Sequence, residues 1–316
     1  MVDLGSGCIT DVPGVRVGHA QSTPGHTGCT VLLLEQGAIA GVDIGGSAPA
    51  TRETEMLNPT NMIVRTHAVL LTGGSTYGLS ATTGVQNYLR EQDIGYHAAS
   101  GVIVPIVPTA AIFDLDVGKP RIHPDVEMGH AACVNVTEGP SPQGSVGAGC
   151  GATCGKILGS DHAMRGGLGT ASFRFESGIV VGALVVCNAW GDVVDPATGK
   201  IIAGARDPKD SGRFLNTERH MMEREIIDTR FFGMDTTLCV VATNARFSRE
   251  QITKVAMMAQ DGIARAVCPS HTMFDGDVVF ALSLVGSTQE IDVNIAGSVA
   301  ARMVTEAILQ AVRSAN

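Results

Sequence analysis

The chain has 316 residues, of which 44% are apolar and 17% charged, with 39 glycines and a net charge of -9. That composition describes a large packed core with close backbone approaches and excludes a disordered chain. With no run of Lys or Arg, it leaves no electrostatic footprint for nucleic acid or an anionic membrane, so neither is an expected partner.

The first residues, Met1 to Ser6, carry no charged and apolar leader pattern, and no apolar stretch reads as a membrane span of about 20 residues. A cytoplasmic protein is the expectation. Eight cysteines sit mostly among apolar neighbours, as in Val185-Val186-Cys187, and read as reduced core thiols. Cys150 and Cys154 lack a second pair or a His cluster, so neither a metal nor a cofactor is expected.

In chain order, Cys29 to Leu34 and Gly37 to Ile44 read as two strands of a hairpin turning at Glu35-Gln36-Gly37. Ala68 to Thr72 reads as a buried strand, and Ser75 to Gln92 as a helix entered through Gly73-Gly74. Prolines at 105, 108, 120, 124, 140 and 142 mark an insertion or interface region. Gly169–Phe175 and Ile179–Val186 form a second expected hairpin around Glu176-Ser177-Gly178. Asp192 to Arg213 has the composition of an exposed connector, and Phe214 to Thr229 can carry a helix. Ser248-Arg249-Glu250-Gln251 has capping-box spacing, opening a helix with an apolar face through Ile252, Val255, Ala259 and Ile263. Asp277 to Leu284 is a strand, and Ile291 to Val312 the last helix. Helices gathered around hairpins predict two packed, mainly antiparallel or mixed sheets covered by helices.

The chemistry-bearing residues lie in the last third. Thr236 and Thr237 head the apolar run Leu238-Cys239-Val240-Val241, where a strand end gives a hydroxyl a rigid platform. β-Branched residues also suit an ordinary strand start. Asp275 and Asp277 would share one face of an extended segment, with Gly276 admitting a close neighbour. An Asp-Gly turn explains the same letters. His19, His26, His67, His123, His130 and His271 show no metal-ligand spacing and read as structural or surface residues.

Five segments carry a resemblance along nearly the whole chain: Ile9 to His19, Leu71-Thr72-Gly73-Gly74-Ser75-Thr76-Tyr77-Gly78-Leu79, Gly149 to Lys156, Cys187-Asn188-Ala189-Trp190-Gly191-Asp192-Val193, and His271 to Asp277. Together they resemble the P1 family of self-processing hydrolases, peptidase family S58. The likeness at the site is to members with a Thr nucleophile, such as the nylon-oligomer hydrolases. The resemblance implies a four-layer αββα sandwich and one hydrolase domain over 1–316, cut into a long chain 1–235 and a short chain 236–316. It implies a homotetramer or larger assembly acting on small peptides, amino-acid amides or amino-acid oligomers. Thr236 matches the processed nucleophile, Asp275 and Asp277 the aspartates that position it, Asn188 the oxyanion-side amide and Lys156 a site lysine. Ser75 and Tyr77 match pocket positions, and Trp190 is a further pocket candidate. Many Thr members have Asn before the nucleophile; this chain has Asp235. A self-cleaving acyltransferase of the ornithine acetyltransferase type, or a non-catalytic assembly protein on the same fold, would carry similar letters.

Overall fold

A computed structural model of the chain describes residues 7–119, 121–227 and 235–316. The principal strands are β1 (Arg16–Ser22), β2 (Thr27–Ile44), β3 (Ala50–Arg52), β4 (Arg65–Thr72), β5 (Thr109–Ala111), β6 (Gly167–Arg174), β7 (Val180–Asn188), β8 (Asp192–Asp195), β9 (Lys200–Ala203), β10 (Thr236–Thr243) and β11 (Val278–Leu284). The helices are α1 (Ser75–Gly78), α2 (Ala81–Glu91), α3 (Val126–Val134), α4 (Thr217–Met222), α5 (Arg249–Ala266) and α6 (Val293–Ala315).

Nine strands form one hydrogen-bonded sheet, eight of them along a path in the order β6-β7-β10-β11-β2-β4-β5-β3 and the ninth, β1, paired with β2. The path folds over on β2. Its first half pairs with β1 and β4, and its second half pairs with β11. The two expected strands at 29–34 and 37–44 are therefore one 18-residue strand, not a hairpin. Leu33 and Ala38 both face β4, opposite Ala68 and Thr66, so the Glu35-Gln36-Gly37 stretch is an irregularity that bends the strand without reversing it.

Alternation along the strands sorts side chains into three cores. Leu32, Leu34, Val69 and Leu71 from one half of the sheet meet Leu184, Leu238, Val240, Phe280 and Leu282 from the other, forming the central layer boundary. On the outer face of one half, Val185, Cys239, Val241 and Val279 pack under α5 and α6 through Val255, Ile263, Val304 and Ile308. On the other, Val31, Leu33 and Leu70 pack under Val85, Leu89 and Cys133 of α2 and α3. The result is the expected αββα arrangement, with its two sheet layers continuous through β2.

Other expectations need correction. The proline-spaced region, expected as an insertion or interface, is built into the fold, since β5 pairs with β4 and α3 covers the outer face. The 75–92 helix is two, α1 and α2, separated at Leu79-Ser80; α1 opens on Ser75 at φ 52° and packs its Gly78 backbone so near Gly73 that a Cβ there would come within 1.8 Å of its carbonyl oxygen. The connector at 192–213 contains the β8-β9 pair and a second short hairpin. Of the 214–229 helix only α4 is found, and residues 228 and 229 lie outside the described residues. α6 is long and apolar enough by length and composition to cross a membrane, which the sequence reading missed; 72% of its apolar window is buried inside the protein.

Candidate active site

Topology alone assembles the site. Asn188 ends β7 and Thr236 begins β10, and the antiparallel register sets them opposite each other. β10 runs parallel to β11 with α5 as the crossover, so the two strands start at the same edge. The residues before β11, Asp275 to Asp277, therefore lie beside those at the head of β10. A single bridge pairs Asp235 with Asp275.

The Thr236 hydroxyl donates to the carbonyl oxygen of Asp235, the residue before it. The same oxygen accepts the Gly276 N–H at 2.9 Å. A Cβ on Gly276 would come within 2.8 Å of Thr236 Oγ1 and 2.6 Å of the Ala48 carbonyl, so only glycine fits without displacing them. Gly46 is equally crowded against the backbone of Asp275 and Asp277.

Lys156 is buried and pairs with Asp235 Oδ1 at 2.9 Å. It also donates to Asn188 Oδ1 at 2.9 Å and to the Asn188 carbonyl at 3.1 Å. Asn188 Oδ1 accepts the Thr153 N–H as well, while Nδ2 donates to the Phe113 carbonyl at 3.2 Å. That pattern fixes the amide with its nitrogen as donor. Asp235 Oδ2 has no hydrogen-bond donor among the described residues. Burial pushes the Asp235 carboxyl up to about 6, against the opposing pull of Lys156.

Asp277 Oδ1 accepts the Thr237 N–H at 2.7 Å, and Oδ2 accepts from His271 Nδ1 at 2.8 Å. Asp275 Oδ2 accepts the N–H and hydroxyl of Thr272, at 2.9 and 2.7 Å. Burial, then the charge of Asp277, raises Asp275 to about 7. The bond to Asp277 raises His271 above its ordinary value.

Thr236, Asp235, Asp275, Asp277, Asn188 and Lys156 are thus one buried network. Trp190 joins it through its N–H to Asp275 Oδ1 at 3.4 Å, and its ring stacks on Phe274 at 5.0 Å and 16°. Met221 and Ile227, like Phe274, pack against the small cluster of Trp190, Ile157 and Ala205. Ser75 and Tyr77 stand apart from it. Tyr77, 64% exposed, stacks on His123 and with Leu115 and Arg121 lines a cavity of about 400 Å³. They are linked to the network through the 112–114 segment, where Ser75 N–H donates to the Ile112 carbonyl and Asn188 grips Phe113.

Three participants escaped the sequence reading. His271 is a partner of Asp277 and not merely structural or on the surface; Thr272 holds Asp275; the Gly276 N–H meets the Asp235 carbonyl. Their signal was the compact run His271 to Asp277, whose polar groups bond one another and, through Asp277 and the Gly276 N–H, the strand start. No group of three or more His, Cys, Asp or Glu among the described residues is arranged to hold a metal ion.

The family model for peptidase family S58 matches residues 7–316. The chain belongs to peptidase family S58. As an S58 member it is a hydrolase acting on amide bonds. It is 40% identical to an uncharacterized aminopeptidase of Mycobacterium leprae, over 94% of this chain and 84% of that protein. It is 32% identical to the 6-aminohexanoate-oligomer endohydrolase of Paenarthrobacter ureafaciens, over 89% and 75% of the two chains. Among solved structures, a Burkholderia sp. beta-aminopeptidase superposes with a TM-score of 0.71 at 22% identity, covering 100% of this S58 chain and 89% of its own. The L-aminopeptidase D-Ala-esterase/amidase of Ochrobactrum anthropi gives 0.70 at 19%, covering 98% and 86%. That enzyme is described as a variant of the Ntn hydrolase fold, and the S58 chain shares that fold.

Proposed function

We propose that this S58 hydrolase cuts its own chain between Asp235 and Thr236 and then uses Thr236 as an N-terminal nucleophile on the amide bonds of small peptides, amino-acid amides or amino-acid oligomers. The observation that carries the reading is the Thr236 hydroxyl resting on the Asp235 carbonyl, whose oxygen already accepts the Gly276 N–H.

In the scission, Thr236 Oγ1 attacks the Asp235 carbonyl carbon as its proton passes to a neighbouring carboxylate. The oxygen that gains charge already faces a backbone donor, an arrangement worth a few kcal/mol in comparable oxyanion sites, roughly 3 kcal/mol per donor. The Thr236 nitrogen leaves with a proton, giving an ester that water opens to the Asp235 carboxylate and a free Thr236 amine. In turnover that amine takes the Thr236 hydroxyl proton, and Lys156, held on the adjoining Asp235 and on Asn188, would bias it toward its neutral form by like-charge repulsion. Asn188, oriented by Thr153 and Lys156, donates to the substrate's oxyanion, and Trp190 with Phe274 offers an apolar wall for the acyl portion.

The products, 1–235 and 236–316, remain one folded domain, because β10 and β11 are interior strands. We further propose a cytoplasmic homotetramer or larger assembly, supported by the free cysteines and by exposed Met62, Val64 and Tyr96 around one surface depression. Denaturing mass spectrometry tests the central claim. Two fragments, one beginning at Thr236, are expected, with Thr236→Ala remaining a single chain of 32.7 kDa. A parent chain that is uncut yet hydrolyses aminoacyl amides would overturn it.

A further inference from the structure

The uncut chain presents its own first acyl group. Scission and turnover share one kind of intermediate, an ester on Thr236 Oγ1 beside a free Thr236 amine. In scission the acyl group of that ester is Asp235; in turnover it is the residue that the substrate donates. The place Asp235 holds is therefore a cast of the place the substrate's acyl residue takes, carbonyl and side chain together.

That place is closed and charged. Asp235 is 2% exposed, and its carbonyl oxygen is fixed by the Gly276 N–H at 2.9 Å. From there its side chain runs to Lys156, whose Nζ lies 2.9 Å from Oδ1. Lys156 is held in place. It is 3% exposed, and its own N–H donates to the Trp190 carbonyl at 2.9 Å, beside the apolar wall. Its ammonium donates to both oxygens of Asn188, which the β7-β10 register sets opposite Thr236. Burial, and then the charges of Asp116 and Asp277, work against an ionised carboxyl at Asp235, and Lys156 works for it.

Resting on the Thr236 reading above, we infer that the acyl site selects an L-aspartyl residue, whose side-chain carboxylate takes the place of Asp235 on Lys156. The substrate class narrows to aspartyl amides and to peptides with aspartate at the amino end, and Lys156 determines that choice. The Asp235 end leaves the site once water has opened the scission ester. In turnover Thr236 Oγ1 bonds the aspartyl carbonyl carbon, and its proton passes through the Thr236 amine to the departing nitrogen as the C–N bond breaks. Water then divides the ester, its hydroxyl going to the carbonyl carbon and its other proton to Oγ1, which releases aspartate. An asparaginyl residue keeps a carbonyl for Lys156 and forfeits the charge; an alanyl residue forfeits both.

The cut enzyme is assayed at pH 7.5 on the α-p-nitroanilides of L-aspartate, L-asparagine and L-alanine. For the aspartyl amide kcat/KM should exceed that of either other amide about tenfold. Lys156→Met, in whatever fraction is cut, should bring the ratio to about one or below, since the buried carboxylate then loses its cation. An unchanged ratio in that variant refutes the role of Lys156. Where the variant stays whole, the parent ratio decides alone. A cut parent that shows less than about a threefold preference, or does not turn over the aspartyl amide, overturns this inference and leaves the scission reading standing. A parent that yields no Thr236 fragment overturns both.

Discussion

At the scale of single residues, Gly276 is a position at the site where only glycine fits. Its missing side chain lets the N–H meet the Asp235 carbonyl while Thr236 Oγ1 lies within 2.8 Å of where a Cβ would be. Gly276→Ala should slow appearance of the Thr236 fragment at least tenfold, about 1.4 kcal/mol of barrier, in a mass-spectrometric time course. The buried acids also make stability depend on pH. Asp275, raised from 3.8 to about 7, stabilises the fold by keeping its proton, and that contribution is lost as pH rises through about 7. His271, raised from 6.5, contributes fully below 6.5 and loses its contribution as pH rises through its folded value. His19 is lowered to about 4 by burial and works the other way, but its effect is complete by pH 6.5. In Thr236→Ala, where cutting cannot intervene, the melting temperature should therefore fall from pH 6.5 to pH 8. A rise over that window in a thermal melt would contradict the assignment.

At the scale of elements, local signals carried far. The capping box at Ser248 is present, with Gln251 Oε1 accepting the Ser248 N–H at 2.9 Å, and α5 runs from Arg249 to Ala266. Ser248→Ala should lower the denaturant-extrapolated stability by about 1 kcal/mol with an unchanged slope. Strands with a continuous apolar run, such as 180–188 and 236–243, were legible because burial on both faces leaves little else in the letters. What failed were junctions decided by distant partners. Glu35-Gln36-Gly37 looks like a turn until β4 is seen to span it, and Val193, Val194, Ile201 and Ile202 were hidden among turn formers. The site shows the same division. Thr236, Asp275 and Asp277 stood out by pattern, and Asn188 and Lys156 by resemblance. The pairing of His271 with Asp277 depends on a left-handed backbone that no letter announces.

At the scale of the whole molecule, the order of strands decides how the two proposed pieces behave. β10 lies between β7 of the long piece and β11 of the short one, and β11 in turn lies against β2. Hydrophobic contacts of α5 and α6 with β6, β7 and β2 bind the short piece on its outer face. Once the bond at 235–236 is broken, refolding requires two chains to meet. After dilution from denaturant, formation of the folded protomer, read before any assembly of protomers, should be concentration-dependent for the cut protein and first-order for Thr236→Ala. Identical refolding orders would show that the break lies elsewhere or is absent.

The interior position of β10 also bears on how such an enzyme comes to be active. Ribosomes make chain ends that must thread into place, whereas an amine at the head of a central strand would be uncovered inside a structure that is already packed. On the proposed scission, its neighbours would be set beforehand by an intact peptide bond, a template for the geometry that is then spent, and each molecule would be either dormant or fully competent. A preparation's specific activity should track its cut fraction, while its KM stays the same from batch to batch.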